Sequence, residues 1–281
     1  MASQVHLPYF DQILALLKDQ NQEAIAAFGR HVHWGYWEDP KRADGTLPDF
    51  ANATEQLSRK VCDAGNITDG LKILDCGCGF GGTIASLNER FSNLELVGVN
   101  IDERQLERAR SQVQPLNQNA ISFVCADACN LPFEDNSFDV VLAVECIFHF
   151  PSRETFFQEA HRVLKPGGHL AICDFVPLKI SLPLMQFLDK FLQSSVQKTY
   201  GLVQSNFSLS TYQTLAQTTG FIPRITEDIT RNTLPTYPLV RQLCRQNGAA
   251  ETAKITAGAE LVSKLGITRY LILSFEAIDP Y

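Results

Sequence analysis

Residues 72–82 read KILDCGCGFGG. An apolar pair, Ile73 and Leu74, ends in a carboxylate, Asp75. The glycines Gly77, Gly79, Gly81 and Gly82 follow, and a segment of helical character starts at Thr83. A buried strand that breaks into a glycine turn and opens a helix lets backbone approach a small molecule where a Cβ would collide. The helix start also presents unpaired N–H groups. Alone, the turn says only that backbone must come close to a ligand.

Working outward, strands and helices alternate. Strands are predicted at Lys72–Cys76, Leu94–Val99, Ile121–Ala126, Phe138–Val144, His169–Phe175, Phe221–Thr230 and Thr268–Ile278. Helices are predicted at Thr83–Phe91, Glu103–Val113 and Arg153–Leu164, the last stopped by Pro166-Gly167-Gly168. Later helices are predicted at Ser210–Thr219, Tyr237–Gln246 and Ala250–Leu265. Near-continuous apolar strands between amphipathic helices argue an α/β fold, a doubly wound and mostly parallel sheet covered on both faces. The seven strand segments give a seven-stranded sheet.

Two segments stand apart from this rhythm. Residues 1–50 form an N-terminal arm, helical over 1–30, where Phe10, Ile13, Leu14 and Leu17 recur at helical spacing. It continues into HVHWGYWEDP (31–40), whose Trp34, Tyr36 and Trp37 are suited to wall a ligand pocket or face a cation, to anchor the arm to the domain, or to do both. Residues 41–50 read as a polar linker, and Asn52 with Glu55 as a capping pair for a helix to about Ala64. Residues 51–176 form the core. Residues 177–206 read as one amphipathic helix, with Leu184, Phe187, Leu188 and Phe191 on one side, a cap over the sheet edge. Residues 207–281 return to the core.

The chain has 281 residues, 45% hydrophobic and 20% charged, with net charge -7 and pI about 5.4. An acidic balance argues against nucleic acid as the main partner. No apolar run approaches the roughly 20 residues of a membrane span, and the first residues lack a secretory pattern. The eight cysteines sit mostly in apolar runs, with no His at zinc-finger spacing, so they read as reduced buried thiols in a cytoplasmic protein and no metal is expected.

The ordered set ILDCGCGFGG, VGVNIDERQLERAR, FVCADACNLPFEDNSFDVV and RVLKPGG resembles class I S-adenosylmethionine-dependent methyltransferases over about residues 50–278. Within that family it looks most like the natural-product and tocopherol/quinone-type small-molecule branch. The stretch ECIFHFPSRETFFQEAHRVLKPGGHLAICDFV is similar to antibiotic sugar O-methyltransferases. The resemblance implies a Rossmann-like methyltransferase fold, S-adenosyl-L-methionine as cofactor and a small-molecule methyl acceptor, in a monomer or homodimer.

It also implies a site. Asp75 and the Gly77, Gly79 and Gly81 backbone would lie near the cofactor's amino-acid end. Asn100, with Ile101 beside it, stands where most relatives carry a carboxylate for the ribose. Gln105 lies one helical turn on. Asp127 and the Ala128 N–H suit the adenine edge, though Asp127 also fits a helix cap. Glu145 ends the fourth strand. His149 is the candidate general base, with Asp174 to orient it, and His31 and His33 are the fallback bases. His161 and His169 read as structural. His33, Trp34, Tyr36, Phe148 and Phe187 are candidates for the acceptor pocket. A base favours an oxygen acceptor; methylation at nitrogen or carbon is the alternative. A nicotinamide-dependent oxidoreductase shares the glycine turn but not the later motifs, and a non-catalytic cofactor-binding module would keep both.

Overall fold

All seven expected strands form: β1 (Lys72–Cys76), β2 (Glu95–Asn100), β3 (Ala120–Cys125), β4 (Phe138–Val144), β5 (Leu164–Pro177), β6 (Phe221–Asp228) and β7 (Thr268–Ala277). They make one sheet in the order β3-β2-β1-β4-β5-β7-β6, in a computed structural model that describes residues 7–183, 194–204 and 206–278. β1 to β5 are parallel, and β7 runs antiparallel between β5 and β6.

Side chains alternate faces along each strand, so an apolar run feeds two cores at once. Leu74, Val141, Ala143, Ile172 and Leu273 face one way, against Phe156, Phe157 and Ala160 of α6 (Arg153–Val163) and Tyr212 of α7 (Leu209–Thr218). Ile73, Val140, Leu142, Cys173 and Ile272 face the other way. They meet Leu57 and Val61 of α3 (Leu47–Ala64) and Ile84 and Leu87 of α4 (Gly82–Arg90). Other helices are α1 (Pro8–Lys18), α2 (Gln22–Phe28), α5 (Glu103–Gln112), α8 (Thr230–Thr233), α9 (Thr236–Gln246) and α10 (Ala250–Lys264).

Three boundaries differ from the sequence reading. The Asn52–Glu55 capping pair is not used. Thr46 caps α3 instead, its hydroxyl accepting the Asp49 N–H at 3.3 Å with Pro48 in the first turn. The arm–core boundary at residue 50 therefore falls inside a helix. α6 stops at Val163, and the Pro166–Gly168 segment belongs to β5, where Leu164 pairs with Phe138 before a register shift brings His169 opposite Val140. The helix expected over 177–206 is shorter at both ends: Pro177 still belongs to β5, Lys179–Ser181 is a 3-10 turn, residues 182–183 and 194–200 are helical, and Gly201 follows with φ +74°. Phe187 lies outside the described residues.

The arm folds onto the carboxyl edge of the sheet. Phe10 of α1 meets Phe80 edge-on, ring centroids 5.8 Å apart. Residues 30–31 cross the start of α4 so closely that a Cβ on Gly82 would sit 2.4 Å from His31 Nδ1 and 2.5 Å from the Arg30 carbonyl oxygen. Here glycine is required for space rather than for backbone conformation. Gly82→Ala is expected to push the arm off α4 and to cost about 1–3 kcal/mol in a denaturant melt.

Candidate active site

The carboxyl ends of β1, β2 and β4 open into one cavity. From the β1 turn come Asp75, Gly77 and Gly79; from β2 and the start of α5, Asn100, Ile101 and Gln105. Asp127, Ala128 and Glu145 complete this part of the lining. Of the cofactor candidates only Gly81 is absent from it. Gly81 instead caps α4 with φ +78°. The turn is held by the Gly77 and Cys78 N–H groups, which donate to the Val99 carbonyl at 2.8 and 3.0 Å. Gly77 has φ +73°, and a Cβ there would lie 2.8 Å from Cys146 Cβ and Sγ. Positive φ and close approach both demand glycine at this point.

Asp75 is buried, and its Oδ2 has no hydrogen-bond partner. Burial pushes its carboxyl up to about 8. A buried carboxylate oxygen without a donor at a cavity wall suits a cationic ligand group such as an ammonium. Asn100 Oδ1 accepts the Asp102 N–H at 3.1 Å, and its Nδ2 donates to Gln105 Oε1 at 3.0 Å. That leaves the amide one lone pair and one N–H, which is what a ribose hydroxyl can use. Asp127 Oδ1 accepts the Cys129 N–H at 2.8 Å in a turn; no helix starts there, so Asp127 is not a helix cap and its Oδ2 remains available to a ligand.

Glu145 has a left-handed backbone, φ +50°, uncommon for a residue with a side chain. The twist aims its carboxylate inward. Oε2 accepts the Trp34 N–H at 2.9 Å and the Tyr270 hydroxyl, and burial pushes the carboxyl up to about 8. Glu145 thus ties the arm to the sheet while lining the cavity.

His149 ends a 3-10 turn, Ile147–His149, and lines the same cavity. Its Nδ1 lies 3.1 Å from the Leu202 carbonyl and its Nε2 lies 3.3 Å from the Tyr9 hydroxyl. A carbonyl can only accept, so Nδ1 carries the proton and Nε2 the lone pair. Burial, with the nearby Arg153 charge, lowers the imidazole to about 4. Asp174 is not its partner, which corrects the sequence reading. On β5 it shares a face with Ile172, toward α6. There Oδ2 accepts from Arg153 Nη2 at 2.8 Å and from the Tyr212 hydroxyl at 2.5 Å, and Oδ1 accepts the Phe175 N–H.

The arm histidines are committed elsewhere. His33 lines the cavity, but its Nδ1 donates to the Trp34 carbonyl at 2.9 Å and its Nε2 meets Ser58 Oγ at 3.0 Å. Burial and neighbouring His31 lower it to about 3. His31 Nε2 donates to Glu55 at 2.9 Å. Trp34, Tyr36 and Phe148 do not line the cavity. Trp34 packs edge-on against Phe175 and Tyr237, Phe148 packs on Phe175, and Tyr36 lies under the Lys60 ammonium. Sequence reasoning missed Leu7 and Tyr9 in the lining, and Tyr270 as the partner of Glu145. The helical spacing of α1 marks Phe10 as inward-facing, without saying what it covers.

The donor set fits S-adenosylmethionine: an unpartnered carboxylate for the ammonium, a glycine turn for close backbone approach, and amides at the end of β2. Charging Asp75 to meet an ammonium releases a proton at any pH below about 8. Calorimetric affinity for S-adenosylhomocysteine is therefore expected to rise by up to ~10-fold per unit between roughly pH 6 and 7.5, before the ligand's own amine titrates. Asp75→Asn is expected to weaken binding and flatten this slope.

Residues 74–172 match the family model described as a methyltransferase domain. Methyltransferase GfsG of Streptomyces halstedii is 34% identical, over 83% of this chain and 78% of that protein. The 27-O-demethylrifamycin SV methyltransferase of Amycolatopsis mediterranei is 32% identical, over 75% and 73%. Geranyl diphosphate C-methyltransferase from Streptomyces coelicolor A3(2), solved with S-adenosyl-L-homocysteine, shares the fold at TM-score 0.71. It is 17% identical, with 96% and 98% of the two chains covered. With the cavity described above, these matches lead to one conclusion: the chain belongs to the class I S-adenosylmethionine-dependent methyltransferases.

Proposed function

We propose that this enzyme methylates a hydroxyl oxygen of a small-molecule natural product, with His149 as the proton acceptor. S-adenosylmethionine, when bound, supplies a methyl group already activated by positive sulfur. The protein is left with alignment, exclusion of water and removal of the acceptor's proton. Leu7, Tyr9 and Phe10 of the arm help wall the cavity and keep water out. Glu145 holds the arm in place through the Trp34 N–H.

One observation carries the oxygen reading: a neutral imidazole lines the cofactor cavity with its lone pair on Nε2, already engaged by a hydroxyl, that of Tyr9. An acceptor hydroxyl can take the same position. The curated relative that acts on 27-O-demethylrifamycin SV supports an oxygen acceptor and a natural product. Eight free thiols support a reducing, cytoplasmic setting, and no helix among the described residues is long and apolar enough to cross a membrane.

The test is a panel of polyketide and phenolic hydroxyl acceptors, read by release of S-adenosylhomocysteine. His149→Ala is expected to lower turnover about 100- to 10,000-fold with cofactor affinity nearly unchanged. Near-wild-type turnover in that variant, or turnover confined to amines, would sink the oxygen reading. The pH profile gives a second check. Because burial lowers His149 to about 4, the neutral base is retained as pH falls through the ordinary histidine range and is lost only near pH 4. The acid limb of kcat is thus expected near 4, rather than near the ~6.5 of an unperturbed imidazole.

A further inference from the structure

The geometry points to Gln204 as a positioning residue for His149: braced by Arg153 and Asp174, it fixes which imidazole nitrogen carries the proton. The inference rests on His149 being the base proposed above.

A neutral imidazole has two tautomers of similar energy, and its hydrogen bonds choose between them. Here the deciding contact is the Leu202 carbonyl, 3.1 Å from Nδ1. Nothing in Leu202 itself holds that carbonyl in place. Its side chain is exposed, and residues 201–204 have no helix or strand structure. Two residues on, Gln204 anchors the segment with every polar group it has. Its N–H donates to the Phe148 carbonyl at 2.9 Å. Its Nε2 donates to the Phe150 and Pro151 carbonyls at 3.2 and 2.9 Å. Its Oε1 and backbone carbonyl accept from Arg153 Nη1 and Nη2 at 3.1 and 2.9 Å. The residues it grips, Phe148 to Pro151, are the turn that carries His149.

Arg153 is in turn held from behind. Its guanidinium is fully buried, donates to Asp174 and to the Tyr212 hydroxyl, each at 2.8 Å, and lies over the Phe207 ring at 4.6 Å. A buried ion pair contributes little net stability against an apolar substitute. What this pair supplies is two fixed N–H donors aimed at Gln204. Asp174 therefore reaches His149 indirectly, through Arg153, Gln204 and the Leu202 carbonyl.

The test reads the tautomer directly and needs no acceptor. The full chain, labelled with ring-15N histidine and saturated with S-adenosylhomocysteine at neutral pH, is examined by NMR, with His149 assigned by difference against His149→Gln. In the wild type the Nδ1–H form is expected to dominate by roughly tenfold or more. Gln204→Ala is expected to bring the two forms within about threefold of each other. Tyr9→Phe removes the hydroxyl on Nε2 and is expected to leave Nδ1–H dominant. A wild-type His149 protonated at Nε2 overturns the proposal. So does a Gln204→Ala spectrum unchanged from wild type, or a collapse produced by Tyr9→Phe instead. Gln204 is partly exposed, and thermal melting with S-adenosylhomocysteine affinity reports folding separately. If the alanine variant does not fold, Gln204→Glu keeps the oxygen facing Arg153, loses both amide donors, and is expected to shift the ratio the same way. Because the readout is independent of turnover, it can fail while methyl transfer through His149 stands, and the reverse.

Discussion

A parallel sheet that is apolar on both faces leaves polar side chains few places to gather. Helices α3 and α4 seal one face and α6 and α7 the other, so function collects where the strands end. At that edge the controlling contact is the approach of Gly77 to Cys146, which leaves no room for a Cβ. It sets the β1 turn against the end of β4 and so puts Asp75, Glu145 and His149 around one cavity.

Burial then decides what each titratable group can do. Asp75 and Glu145 are both pushed up to about 8, yet their settings differ. Glu145 is met by an N–H and a phenol, and it fastens the arm. Asp75 keeps an oxygen without a donor. Only the second is poised for a cationic ligand. His149 is lowered to about 4 by the same desolvation that raises the carboxyls, because burial disfavours whichever form is charged. Such an imidazole is a weak base, so a fixed tautomer and an aimed lone pair matter more to it than intrinsic basicity.

The arm shows how one segment can serve structure and site together. His31 and His33 are joined to Glu55 and Ser58, which packs the arm on α3 and α4. Nearer the start of the arm, α1 brings Tyr9 to His149. The histidines that looked chemically available in the sequence are absorbed by packing. The useful contact comes from a tyrosine that reads as part of an amphipathic helix.

From the sequence alone came the alternation of strand and helix, the glycine turn, and a set of candidate cofactor residues of which all but Gly81 line the one cavity. Those features are local: a strand's parity, a turn's positive φ and a residue's place at a strand end follow from neighbours in the chain. Side-chain partners across the fold do not. Asp174 and His149 both lie near strand ends, and proximity in topology suggested a pair. One residue of parity turns Asp174 toward α6 and Arg153 instead. The Thr46 cap, the link between Glu145 and Tyr270, and the grip of Gln204 on the turn before α6 likewise depend on distance in space rather than along the chain. The sequence by itself determined what the cavity can hold, because backbone conformation is encoded locally. Only the tertiary structure decided which nitrogen of His149 faces that cavity, because a tautomer is chosen by whichever group the fold brings within hydrogen-bonding reach.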